Sequence, residues 1–209
     1  MFANRFTLRR LALTAAAGAG ALALLTACGG DDATTGHAGM AGGTPTATAT
    51  AGERPATSFN DADVTFAQMM IPHHEQAVEM AELAETRAAD AEVRELAAKI
   101  KAAQDPEITT MTEWLTSWGK PATPEGGHAG HGMPGMMTED DMAKLQAARG
   151  AEFDRLFCRL MIAHHEGAIE MARTEQEQGI DPRAKELAKT IETAQQAEIE
   201  QMRAILDRL

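Results

Sequence analysis

A chain of 209 residues with 19 basic and 31 acidic side chains and a formal charge of −12 has room for one domain with a real core. That acidity makes nucleic acid and anionic membrane surfaces poor partners and excludes the function classes that depend on them.

At the N-terminus, Arg5, Arg9 and Arg10 precede an uncharged run rich in Ala and Leu over residues 11–27, closing with Leu25-Thr26-Ala27-Cys28. The run is too short and too rich in alanine to span a bilayer comfortably, and its basic front and small-residue exit are those of a secretory signal. The ending resembles a bacterial lipobox, so residues 1–27 read as a lipoprotein signal peptide and Cys28 as the lipid attachment point. The Arg9-Arg10 pair leaves the twin-arginine route open. Removing residues 1–27 takes away three arginines and no acid, shifting the formal charge from −12 to −15, which suits cations as partners. Only Cys158 then remains, so packing rather than disulfides must hold the fold.

Residues 28–57 are mostly Gly, Ala, Thr, Pro and Asp with almost nothing to bury, the composition of a disordered tether between lipid and domain. From Ser58 the texture changes to long segments rich in Ala, Glu and Met without β-branched alternation, which predicts helix throughout residues 58–209. A first helix is expected over about 60–87. A second follows from the N-cap Asp90 to Trp118, with Gly119 beyond its end and Pro106 as a point of bending. Thr138 and the acids after it open a short extra helix that Gly150 ends, and a third long helix runs over about 151–178. Gly179 stops it, Asp181 caps the next and Pro182 occupies its first turn, so a fourth long helix reaches the C-terminus.

Sliding the chain against itself by 91 residues aligns 66–114 with 157–205 without a gap, and 20 of 49 positions are identical. The repeats, about 60–119 and 151–209, are therefore one helical hairpin written twice. Two hairpins that each carry one apolar stripe bury it most simply as an all-α four-helix bundle.

The best-matched stretch is Met70-Ile71-Pro72-His73-His74-Glu75 against Met161-Ile162-Ala163-His164-His165-Glu166. At about 100° per residue, Phe66, Met70, His73, His74, Ala77, Met80 and Ala81 share one arc, and Glu75 and Glu79 lie opposite. Two imidazoles on a buried stripe need hydrogen bonds or a metal. Met70 stands at helical spacing from His73 and His74, as Met161 does from His164 and His165. Thioether with imidazole favours Cu(I), and imidazole alone suits Cu(II), Zn or Ni, so copper fits this donor set best. A carboxylate di-iron centre would need inward glutamates and Glu-x-x-His motifs, and the repeats contain no such motif. His37 and Met40 in the tether, and His128, His131, Met133, Met136 and Met137 in the Met/His-rich loop 120–137, form a secondary set suited to capturing metal ions. Met80, Met111, Met142, Met171 and Met202 read as core fillers, and Cys158 as a small buried residue.

The doubled motif, with Trp114-Leu115-x-x-Trp118-Gly119 closing the first half, resembles the domain-of-unknown-function family 305 over residues 58–209. The resemblance implies a ferritin-like helical bundle, export from the cytoplasm and, for some members, copper binding, with Met70, His73, His74, Met161, His164 and His165 as the site. The expectation is thus a copper-sequestering or copper-transferring lipoprotein at the outer face of the cell membrane. It would act without catalysis, hold metal ions as cargo and have an envelope metal transporter as a candidate partner. The competing reading is a non-metal binding module of the cell envelope whose histidines are structural or pH-responsive. A copper or di-iron redox enzyme is the minor alternative. Oligomeric state is open.

Overall fold

The computed structural model describes residues 58–123 and 133–209, which form five helices. They are α1 (Asp61–Arg87), α2 (Ala91–Ser117), α3 (Glu139–Ala147), α4 (Ala151–Gln178) and α5 (Pro182–Arg208), and the described residues contain no strand. The expected signal peptide, Cys28, the tether with His37 and Met40, and His128 and His131 of the central loop lie outside the described residues. None of the described helices is long and apolar enough to cross a membrane.

Side chains that can replace missing backbone partners set the helix starts. Asn60 accepts from the backbone of Ala62 and Asp63, and Asp63 returns the bond to the Asn60 N–H, a reciprocal cap. Asp90 caps α2, Thr138 caps α3 with Asp141 replying, and Asp181 caps α5 with Pro182 just inside. Gly119, at φ 65°, and Gly150, at φ 63°, supply the left-handed residues after α2 and before α4. Both α1 and α2 continue through an internal proline, Pro72 and Pro106.

Helices α1 and α2 pair as one hairpin and α4 and α5 as the other; α1 packs on α4 at the centre, and the short α3 rests against both. The result is the four-helix bundle with one extra short helix. Two apolar clusters fill it. One joins Ala77, Met80 and Ala84 of α1 to Phe153, Phe157 and Met161 of α4. The other joins Phe66 and Met70 of α1 to Ala168, Met171 and Ala172 of α4. Because early α1 meets late α4 and late α1 meets early α4, the two central helices run antiparallel. The five expected filler methionines are all buried, as is Cys158. Phe59 and Trp118 stack at 4.9 Å between ring centroids and close one end of the first hairpin.

The twofold relation extends to buried acids. Asp63 on α1 accepts from the N–H groups of Ile180 and Asp181, where α5 begins. Asp154 on α4, 91 positions on, accepts from those of Ala89 and Asp90, where α2 begins. Each hairpin's first helix thereby ties down the start of the other hairpin's second helix, through donors that would otherwise be orphaned.

Candidate metal centre

Between the two apolar clusters lies a polar layer. The four histidines of the doubled motif sit between Met70 and Ala77 on α1 and between Met161 and Ala168 on α4, where the helices cross, and all four are fully buried. The inner two meet across the crossing: the rings of His73 and His164 lie 3.7 Å apart between centroids. The two half-motifs therefore form one constellation. Met70 and Met161, also fully buried, flank the layer in separate clusters.

The outer two histidines have partners from the second helix of each hairpin. His74 Nε2 lies 2.7 Å from Glu107 Oε2, and His165 Nε2 lies 2.7 Å from Glu198 Oε2. Glu75 and Glu79 face solvent as their arc predicts, and so do Glu166 and Glu170, but Glu107 and Glu198 turn toward the core and Glu175 is buried. Sequence reasoning missed the two glutamates because it followed the apolar stripe of α1 and α4 alone. The repeat held the signal, since Glu107 and Glu198, like the buried Gln104 and Gln195, are identical across it.

Part of the Met-rich loop lies directly over the layer. The carbonyl of Pro134 accepts from His73 Nε2 at 3.1 Å. Gln76 anchors the same segment twice, accepting from the Met137 N–H and donating to the Met137 carbonyl. On the α4 side the strand of loop passes so close that a Cβ on Gly167 would stand 2.1 Å from the Pro134 oxygen, and one on Gly135 2.6 Å from the Ala163 oxygen. Only glycine fits at either position. Met133, Met136 and Met137 are half-buried in this strap. Beside it, a cavity of about 380 Å³ opens between α1 and α4, bordered by Phe66, Met69, Pro134, Met171 and Glu175.

The chemistry of the layer is set by burial. It holds the His73 imidazole well below its ordinary range, at about 3, with the neighbouring His74 adding to the effect. Burial, then His73 and His165, push His164 far down as well. Both rings are thus neutral and keep a lone pair. Five buried ring nitrogens have no hydrogen-bond partner among the described residues: Nδ1 of His73, His74 and His165, and both nitrogens of His164. Unmet buried polar groups cost about 1–3 kcal/mol each, so the layer is an expensive way to build a core and an apt one to hold a ligand. Soft, neutral donors beside thioethers fit a monovalent copper ion. Among the described residues no three His, Cys, Asp or Glu side chains are gathered to chelate one ion, so a metal here would draw on thioethers or on small movements of the rings.

The doubled hairpin with this motif at its crossing places the chain in a family: residues 63–206 match the model of DUF305, a domain of unknown function, and the chain belongs to it. Among solved structures, a DUF305 protein of Streptomyces coelicolor thought to be secreted is 35% identical, with a TM-score of 0.66 over 70% of this chain and 93% of that one. A DUF305 fragment from Deinococcus radiodurans is 33% identical at the same TM-score of 0.66, over 72% of this chain and 98% of that one. CopM in its Cu(II)-bound form is 37% identical, with a TM-score of 0.61 over 70% of this chain and 96% of that one. CopM has also been solved in Cu(I)-bound and silver-bound forms. No curated protein matches the chain.

Proposed function

We propose that this protein is an extracytoplasmic copper-binding lipoprotein that sequesters copper or passes it on, with one centre shared by both halves at the crossing of α1 and α4. The observation that carries the reading is the layer of four buried histidines with five unpartnered ring nitrogens, flanked by Met70 and Met161. The likeness to CopM in its copper- and silver-bound forms supports it. In this reading His73, His74, His164 and His165 supply imidazole nitrogens and Met70 and Met161 thioether sulfurs. Copper is cargo, and no reaction on an organic substrate is required. The loop set, His128, His131, Met133, Met136 and Met137, and the tether pair His37 and Met40, gather ions for the centre. Export by the N-terminal signal and lipidation of Cys28 would hold the protein at the outer face of the cell membrane, where an envelope metal transporter is the partner the chemistry suggests.

A second reading has its own support: His74 and His165 already have carboxylate partners, as structural histidines would. A competition titration with Cu(I), Cu(II) and Zn(II), run beside a variant with all four histidines changed to Gln, separates the two. Tight copper binding lost in a variant whose circular dichroism is unchanged is the expected result. Equal binding by both proteins would return the histidines to structure.

A further inference from the structure

The pairing of the outer histidines is the same in both halves: the same ring nitrogen, Nε2, the same carboxylate oxygen, Oε2, the same 2.7 Å, and the same 33-residue separation. A carboxylate can only accept, so the proton in each bond is on Nε2, and a ring that carries a single proton then has its lone pair on Nδ1. The reverse tautomer would set a ring lone pair against the carboxylate and leave an N–H at Nδ1, which is buried and has no partner among the described residues. That cost favours one tautomer twice over, through a bond made at Nε2 and an orphan donor avoided at Nδ1.

The two glutamates are placed for this task. Each belongs to a stripe of three identical residues that α2 and α5 turn inward, Gln104, Glu107 and Met111 in one and Gln195, Glu198 and Met202 in the other. The glutamine and methionine of each stripe are buried, whereas the glutamate side chain is 18% exposed and so keeps contact with water while its Oε2 reaches the core. Neither glutamate has a basic side chain within ion-pair distance, so the histidine is its partner among the described residues.

We propose that Glu107 and Glu198 are positioning residues that lock His74 and His165 as the Nε2–H tautomer, leaving each Nδ1 lone pair free within the buried layer as a metal donor. A carboxylate behind an imidazole also raises its basicity as a ligand, and loss of such a partner typically weakens metal affinity about 10–100-fold. The binding consequence rests on the copper reading above. The tautomer itself does not.

The test has two arms on the full chain. In the first, nitrogen NMR of the 15N-histidine-labelled, metal-free protein reads the tautomers of His74 and His165; wild type should show Nε2–H, and Glu107→Leu and Glu198→Leu should each release the paired ring into a tautomer mixture. In the second, Cu(I) competition should show each Leu variant weakened about 10–100-fold, and Glu107→Gln and Glu198→Gln, whose amide can donate as well as accept and so no longer selects one tautomer, weakened in the same direction. The single Gln variants keep the test decisive if a Leu variant does not fold, since Gln preserves the packing, and Gln variants with wild-type tautomer and wild-type affinity would overturn the proposal. Nδ1–H rings in wild type, or Leu variants that bind copper like wild type, overturn the proposal. Wild type that shows Nε2–H rings but binds no copper would leave the tautomer lock standing and sink the copper reading instead.

Discussion

The two halves of this bundle carry the same motif yet treat it differently, and one pair of repeat-equivalent positions decides how the loop meets each half. Position 76 on α1 is Gln, and its equivalent on α4 is Gly167. Gln76 holds the loop segment 133–137 by two hydrogen bonds, while Gly167 leaves room for that segment to cross α4. Through Pro134 the segment then gives His73 a partner that His164 lacks. Duplication produced a symmetric layer, and the single loop joining the copies made its two inner histidines unequal. His164 keeps both ring nitrogens without a partner among the described residues, while His73 keeps one.

The halves also differ in how they carry their buried acids, and substitutions there should give the largest effects. Asp154→Ala strands the N–H groups of Ala89 and Asp90 and should cost about 2–4 kcal/mol in urea unfolding. Asp63→Ala strands three donors, the N–H groups of Asn60, Ile180 and Asp181, so its loss should be larger even though it removes the charge beside Glu175. Equal losses would break the distinction. Next comes the strap. Gly167→Ala puts a Cβ against the Pro134 carbonyl and should cost about 1–3 kcal/mol. Gln76→Ala, which loses two bonds without a clash, should cost about 1–2 kcal/mol. Both should speed hydrogen exchange at the Met137 amide while leaving α5 amides unchanged.

A smaller and pH-dependent contrast sits at position 175, which is Glu where the first half has Ala84. Burial, then the neighbouring Asp63, push the Glu175 carboxyl up from 4.5 to about 8, so in the folded protein it is the protonated acid near neutrality. A raised folded value means the contribution is complete below the unfolded value near 4.5 and is lost as pH rises through about 8. Tm should therefore fall between pH 5 and 9 in wild type and vary less in Glu175→Gln. The smallest effect is expected at the exposed pair Arg203–Glu166, where Arg203→Ala should change stability by about 0.5 kcal/mol or less.

Much of this was legible in the sequence, for physical reasons that can be named. Helix ends are governed by local chemistry, so Asn60, Asp90, Thr138 and the Gly179, Asp181, Pro182 run marked them within a residue or two. The inward face of the histidines followed from their spacing among Phe66, Met70 and Ala77. What was hidden depended on another helix or on the loop. Whether Glu107 faces His74 is decided by how α2 lies on α1, and its neighbours Pro106 and Ile108 give no clean stripe. Only its identity with Glu198 across the repeat pointed to it. The contact of His73 with Pro134 was not readable at all, because a Gly- and Met-rich loop has no periodicity to say where it docks. The burial of Glu175 beside Asp63 joins elements more than 100 residues apart and follows only from the bundle's closure.

A Cu(I) competition titration of His164→Gln and of His73→Gln, each on the full chain, tests the shared centre most directly. If one centre spans the crossing, either substitution removes the tight site as a whole, and the two half-variants resemble each other and the four-histidine variant. If instead each half-variant keeps half of the wild-type copper at wild-type affinity, the halves bind separately and the shared centre is wrong.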